Sequence, residues 1–281
     1  MEAGEPILQR PRRRLCASAG ALIGLVITLK IVSPTFAAPR ISSEDARPCG
    51  APAARHFVEN RTAIYLGRGC FWELQWILYS AERRWGRDPF ATTATTGYAG
   101  GTSDAGDTVC YHGSSAATDY GSLGHAEAVR VELDGEASSA VAAAQTLDLV
   151  TDFFGSFHRA RWPWVGWERP DQRQDVGAEY RSVIGLPGGL NSPLWPVVDQ
   201  ANKPYGMALR VAAGSDDDER NTVWVYDTGC YPFFRAERYH QFHSDYRGMP
   251  YPPEYVHDLW GAKSAAGKIA PVPGCVEGQH W

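Results

Sequence analysis

A chain of 281 residues with 44% apolar and 21% charged side chains has the make-up of a globular protein of one large domain or two small ones. Its formal net charge of -5 leaves no basic surplus to neutralise phosphates, which argues against a dedicated nucleic-acid binder and favours small molecules or other proteins as partners. Ten tryptophans are enough to wall an apolar pocket with stiff rings.

Residues 1 to 40 read as a targeting segment. A basic "RPRRR" precedes an apolar run from Leu15 to Val32 that Lys30 interrupts, and "PTFAAP" follows with small residues at Thr35 and Ala37. The pattern is that of a signal peptide or, if uncleaved, a signal-anchor, so the chain is expected in the secretory pathway: secreted, lumenal or membrane-anchored. Residues 41 to 60 lack periodicity and read as a linker, which leaves 61 to 260 as the folded domain and 261 to 281 as a flexible tail.

The domain opens with "TAIYLG", a short strand ended by glycine. From Trp72, the residues Leu74, Ile77, Leu78, Ala81 and Trp85 recur at helical spacing up to a stop at Gly86, and Cys70 falls at the start of that helix. "ATTATTGYAGG" reads as a strand running into a glycine turn, and residues 103 to 124 as a polar loop. "HAEAVRVEL" alternates as a strand; a helix follows with Ala143, Leu147, Val150 and Phe154 on one stripe. Next come the strand "YRSVIGL", a Pro/Gly-rich break over 187 to 204, the acidic loop "GSDDDERN", the strand "TVWVY" and a helix over "RAERYHQFHSDY". Strands and helices alternate, which predicts an α/β fold with helices packed on a sheet.

Several residues could carry chemistry. A cysteine at a helix start is favoured as thiolate by the first N–H groups and the helix dipole, yet free cysteine also serves as a small buried hydrophobe, so both roles stay open for Cys70. Glu127 is either a solvent-facing strand residue or, beside aromatic surface, a carboxyl raised into the range of a proton donor. Tyr98 sits at a glycine turn, and Asp175 and Tyr180 approach a strand together; tyrosine hydroxyls donate well while their rings wall a pocket. His240 and His243 lie three residues apart with no further ligand at recognisable spacing, so no metal is expected. Besides Cys16 in the targeting segment, Cys49, Cys70, Cys110, Cys230 and Cys275 are irregularly spaced with no CxxC pair.

Taken in order, "GCFW" at 69 to 72, "GYAGG" at 97 to 101, "GHAE" at 124 to 127, "DVGAEYRS" at 175 to 182 and "AERYHQF" at 236 to 242 resemble the methionine sulfoxide reductases of the A type, which reduce the S epimer of methionine sulfoxide. The resemblance implies a two-layer α/β sandwich around a mixed sheet. It implies that Cys70 attacks the sulfoxide sulfur, that Glu127 protonates the leaving oxygen, that Tyr98 and Tyr180 hydrogen-bond that oxygen, that Asp175 positions the site, and that Phe71 and Trp72 wall the slot for the methyl group. A sulfenic acid at Cys70 then needs a second thiol, for which Cys275 on the tail is the first candidate and Cys230 the second; Cys110 matches a cysteine often seen in the family before the "GHAE" strand, where a packing role and a resolving one stay equally open. No bound cofactor is implied. The expected partners are oxidised proteins or peptides carrying methionine sulfoxide, with the free amino acid as a further substrate, and thioredoxin or another dithiol as reductant; a monomer is expected. The chain departs from the family after "GCFW", where Glu73, Leu74 and Gln75 replace Gly-x-Glu, in a longer loop before "GHAE", in His158, Arg159 and Ala160 where the family has His-Asp-Pro, and in "PGGLNSPLWP" after the "YRS" strand. Two other readings stay open: a papain-like thiol hydrolase using His243, and a catalytically silent binding module of the same fold.

Overall fold

In the computed structural model the described residues are 61–278, apart from 105, 113–114, 162–165, 170–174, 215–219 and 245–250. Among the described residues nine strands form: β1 (Ala63–Gly67), β2 (Thr95–Ala99), β3 (Ala126–Glu132), β4 (His158–Arg159), β5 (Trp167–Glu168), β6 (Val183–Leu186), β7 (Ala208–Val211), β8 (Thr222–Asp227) and β9 (Phe234–Arg235). The helices are α1 (Phe71–Arg84), α2 (Ala140–Gly155), α3 (Trp195–Asn202) and α4 (Trp260–Ala265). Seven strands make one sheet in the order β7-β8-β6-β1-β3-β2-β9, while β4 and β5 pair apart from it. The sheet is mixed: β8 runs parallel to β6 and β7, and the other neighbours are antiparallel.

Alternation along the strands creates two unlike faces. Ile64 and Leu66 of β1 and Val129 and Val131 of β3 join Leu74, Leu78, Leu149 and Phe153 in the main core, so α1 and α2 cover this face. Ala63, Tyr65, Ala126 and Ala128 point the other way, onto Val183, Ala213, Tyr226 and Phe233. Gly97 of β2 lies there too, and a Cβ on it would collide with the Phe234 carbonyl and the Phe233 ring. On its outer side α1 meets a third cluster, Phe242, Tyr255, Val256, Leu259 and Ile269, which packs against Trp76 and Tyr79.

Several expectations change. The Pro/Gly-rich break contains α3, because Pro196 falls in the first helical turn, where a missing N–H costs nothing. Leu147 of α2 is 46% exposed, and Leu149 and Phe153 take the buried stripe with Val150. The helix expected over "RAERYHQFHSDY" is instead β9 followed by a 3₁₀ turn at Arg238–His240. Gln241 is the cause: its side chain accepts from the Thr96 N–H at 3.1 Å and donates to the Thr96 carbonyl at 3.0 Å, extending the sheet beyond β9 through a side chain. Phe242 then turns with φ 55°. Where the tail was expected to begin, a π-helical turn (Glu254–Leu259) runs into α4. The targeting segment and linker lie outside the described residues. Among the described residues no helix is long and apolar enough to cross a membrane.

Candidate active site

The centre of the site is the passage from β1 into α1. Gly69 adopts φ 58°, a left-handed turn that glycine makes without strain, and its N–H donates to the Tyr180 carbonyl at 2.9 Å. Cys70 follows as the N-cap of α1, with φ -60° and ψ 127° and no capping bond from its own side chain. The orphan donor at Phe71 is satisfied from across the sheet: Glu127 Oε2 accepts the Phe71 N–H at 2.8 Å. Period-two alternation explains why Glu127 is there, since it shares its face of β3 with Val129 and Val131 and so points at α1. A helix N-terminus thus brings a thiol and a carboxyl together.

Glu127 is 2% exposed. Burial pushes its carboxyl well above the usual range; the Phe71 N–H pulls back, and the negative fields of Asp175 and Glu179 push further up. The group is therefore biased toward a proton-bearing acid. Around it stand phenols whose ionisation burial also suppresses. Tyr180 and Tyr111 face one another, both are held above the ordinary tyrosine range by desolvation, and Tyr111 also feels Cys70. Tyr120, 0% exposed, has its hydroxyl near Glu127 and Tyr180 without closing a full hydrogen bond to any partner among the described residues. The Tyr98 hydroxyl donates to Glu237 at 2.7 Å, and its ring stacks on Tyr120 at 4.6 Å. Asp175 is buried, and its carbonyl accepts from Arg169 at 2.6 Å.

An aromatic wall completes the pocket. Phe71 lies 5.3 Å from His240 and 6.1 Å from Tyr98, and Trp72 stacks on His243 at 4.0 Å with Tyr239 at its edge, 6.2 Å away. Burial drives the His240 imidazole down to about 3, so it is a neutral wall and not a charge. His243 gives Trp72 its face, and its Nδ1 is 2.6 Å from the Ser244 carbonyl, which leaves it oriented as a wall as well.

Arg181 fixes the surrounding turns. Its guanidinium, 1% exposed, donates to the carbonyls of Ala213 at 2.7 Å, Ala178 at 2.8 Å, Gly124 at 3.0 Å and Gly100 at 3.3 Å. His125, driven to about 3 by burial, accepts from the Gly101 N–H at 3.1 Å and so ties the "GYAGG" turn to β3. The residues after "GCFW" have structural partners. Glu73 pairs with the buried Arg68 at 2.8 Å, and Gln75 accepts the Phe242 N–H at 2.6 Å while donating to the Ala94 carbonyl at 3.0 Å. A buried carboxylate lies about two turns further along α1, where Glu82 accepts from the N–H groups of Thr93 and Ala94.

The structure brings Cys70, Glu127, Tyr180, Phe71 and Trp72 together, keeps Asp175 within their electrostatic reach, and engages the Tyr98 hydroxyl with Glu237. Of the cysteines, Cys275 is bonded to Cys110, Cys230 is also disulfide-bonded, and Cys70 is the one cysteine among the described residues that is in no disulfide. Tyr111 and Tyr120 were not anticipated. The signal was two aromatics in a loop otherwise made of small polar residues; the loop holds them by pairing with itself, Cys110 N–H to the Thr118 carbonyl at 2.7 Å and Tyr120 N–H to the Cys110 carbonyl at 2.9 Å.

Known proteins resemble this chain along most of its length. A peptide methionine sulfoxide reductase MsrA of Agrobacterium fabrum is 30% identical over 208 residues, 73% of this chain and 77% of the relative. Those of Trichodesmium erythraeum and Maricaulis maris are 26% identical over 198 residues, 70% and 88% of the two chains, and 29% over 183 residues, 65% and 68%. No protein-family model matches. Among solved structures, methionine sulfoxide reductase A of Corynebacterium diphtheriae aligns over 75% of this chain and 98% of its own at 18% identity with a TM-score of 0.37, and reduced Mxr1 of Saccharomyces cerevisiae over 80% and 96% at 17% with a TM-score of 0.38.

Proposed function

Because this chain belongs to the peptide methionine sulfoxide reductase A family, we propose that it reduces methionine (S)-sulfoxide in peptides and proteins, and the free amino acid, by sulfenic acid chemistry at Cys70. The observation that carries the reading is the buried Glu127 carboxyl held on the Phe71 N–H, beside the cysteine that caps the same helix.

The Cys70 sulfur attacks the sulfoxide sulfur while Glu127 gives its proton to the oxygen, so the oxygen leaves sulfur for Cys70 and the products are methionine and Cys70 sulfenic acid. Glu127 is suited to this because burial keeps its proton in place until the oxygen becomes basic. Tyr180, Tyr111 and Tyr120 surround the place where charge grows on that oxygen, and Phe71 and Trp72 receive the methyl group. Asp175 acts through its field on Glu127 and Tyr180.

A thiol then condenses with the sulfenic acid, releasing water, and a thioredoxin-like dithiol restores Cys70. Repair of oxidised proteins in the secretory pathway, by a monomer whose domain spans residues 61 to 260 behind a signal peptide or signal-anchor, is the physiological setting we propose. A papain-like hydrolase finds no support in the site, since the His243 ring is a wall of the Trp72 stack.

The test is consumption of each epimer of a methionine sulfoxide peptide by the purified full chain with dithiothreitol. The S epimer should disappear, and Cys70→Ser should abolish the reaction. Activity that survives that change, or peptide cleavage in place of reduction, overturns the proposal.

A further inference from the structure

Sulfoxide reduction leaves a buried carboxyl beside the Cys110–Cys275 disulfide without a role. Glu237 is 1% exposed, and its two oxygens accept from the Tyr98 hydroxyl and the Tyr111 N–H, each at 2.7 Å. One of its oxygens and the sulfurs of Cys110 and Cys275 lie within 4.8 Å of one another. The two cysteines are disulfide-bonded with their Cα atoms 5.4 Å apart, Cys110 fully buried and Cys275 half-buried. An incoming thiolate can therefore reach only the Cys275 sulfur, and the leaving group is a Cys110 thiolate expelled into the interior. A thiolate there is unstable without a proton or a positive partner. The group beside it is Glu237.

Resting on the reductase reading above, and on the recycling disulfide such a reductase needs as its redox outlet, we propose that Glu237 is the acid–base group for thiol–disulfide exchange at Cys110–Cys275. In the opening direction one thiolate of a dithiol reductant bonds to Cys275 and the Cys275–Cys110 bond breaks. Glu237 passes its proton to the Cys110 thiolate. The second reductant thiolate then displaces Cys275, leaving two protein thiols and an oxidised reductant. In the closing direction Cys275 condenses with Cys70 sulfenic acid, forming Cys70–Cys275 and water. Cys110, deprotonated by the Glu237 carboxylate, attacks Cys275, freeing Cys70 and restoring the bond that the structure contains. The pairing among the described residues, with Cys110 bonded to Cys275 and Cys70 in no disulfide, is the arrangement with which that sequence ends.

The surroundings suit both directions. Burial pushes the Glu237 carboxyl up, the Tyr111 N–H and Tyr98 hydroxyl pull it back, and Glu277 pushes it up again. The other groups facing it are Arg235 on β9, whose field reaches it, and the His240 imidazole, 4.0 Å away and neutral. The tail can follow Cys275 because its hold is light: Glu277 accepts from the N–H groups of Val272, Arg238 and Tyr239 at 3.1, 3.3 and 3.4 Å. Cys110 adjoins Tyr111, which lies in the field of Cys70, so the bridge borders the same pocket.

The experiment uses the full chain with dithiothreitol. Opening of Cys110–Cys275 is followed by quenching and differential alkylation across acid to neutral pH, with rates expressed per reductant thiolate. The wild-type rate should be highest at acid pH and fall as a carboxyl above the ordinary range ionises. E237Q should be flat and about 100-fold slower at the acid end, the low side of what a positioned proton donor contributes. A wild-type profile that tracks only the reductant's thiolate fraction overturns the assignment, whether or not E237Q folds. C70S should open like wild type, which separates this result from sulfoxide chemistry. In a second arm, fully reduced protein receives one equivalent of methyl sulfoxide, and a free Cys70 with a restored Cys110–Cys275 bond is expected. Oxidised Cys70 with Cys110 still a thiol overturns the outlet and leaves the reductase reading standing; no oxidised cysteine overturns the reductase reading itself.

Discussion

Replacing Glu127 with glutamine separates the chemistry of this carboxyl from its architecture. The amide keeps an oxygen for the Phe71 N–H, now accepted at 2.8 Å, so the cap on α1 survives. It still donates a hydrogen bond toward the pocket but has no proton to transfer. General acid catalysis contributes roughly 10²–10⁴-fold, and a retained hydrogen bond recovers part of it, so E127Q should lose about 10²–10³-fold, or about 2.7–4 kcal/mol of barrier. Stability should move the other way. A folded-state pKa raised above the unfolded value means the native carboxyl keeps its proton where the unfolded one has lost it. The stability tied to that proton is complete below the ordinary carboxylate range and drains away as pH rises through the raised value. Glutamine removes the drain, so at neutral pH E127Q should be at least as stable as wild type. E127A, in contrast, orphans the buried Phe71 N–H and should cost about 1–3 kcal/mol from that donor alone. The assay is single-turnover reduction of a methyl sulfoxide peptide by pre-reduced protein over a pH series, with urea unfolding of each variant alongside. The wild-type step should slow as pH rises through the Glu127 titration, and E127Q should lack that limb. A rate for E127Q within threefold of wild type, or the same pH limb in both, refutes the acid role.

Tyr120→Phe deletes a fully buried hydroxyl that closes no bond among the described residues, so unfolding should be unchanged while single-turnover reduction falls by roughly 10–100-fold, less than the loss of a full oxyanion donor; a stability loss with normal turnover would contradict the placement. Gly69→Ala forces a side chain onto φ 58° and should cost about 1–2 kcal/mol in urea unfolding, with a further loss of rate because Cys70 shifts with it. Gln75→Ala orphans the Phe242 N–H and should destabilise by about 1–3 kcal/mol while single-turnover chemistry persists; calorimetry and the peptide assay on one preparation check both halves.

What could be read along the chain was whatever depends on neighbours in sequence. The strand–glycine–cysteine–helix passage and the alternation of β3 are local patterns, and both form as their residues dictate, while the face that Glu127 takes stayed open until the helix packed on β3 was seen. The second helix is expected with Leu147 in its stripe, but Leu149 and Phe153 face the core, because the contact with α1 and α3 chooses the face. The "RAERYHQFH" segment has helical composition, yet Gln241 bonds Thr96, 145 residues away, and that long-range pairing overrides local preference. Tyr111 and Tyr120 were unreadable for the same reason, since their loop has no period and its shape comes from Cys110 meeting Thr118 and Cys275. The cysteine partners likewise required a contact across 165 residues.

Arg181 locks the base of the loop between Gly100 and Gly124 independently of the loop's other ties. One guanidinium grips the carbonyls at both of its ends, and Thr102 N–H to the Leu123 carbonyl at 3.0 Å closes the neck just inside them. Length added between those anchors need not reach β2 or β3, so Glu127 can hold its place while the loop grows. The acid proposed at Glu127 is thereby held by the sheet, while Tyr111 and Tyr120, proposed to face the substrate, belong to a loop whose base is locked independently of it.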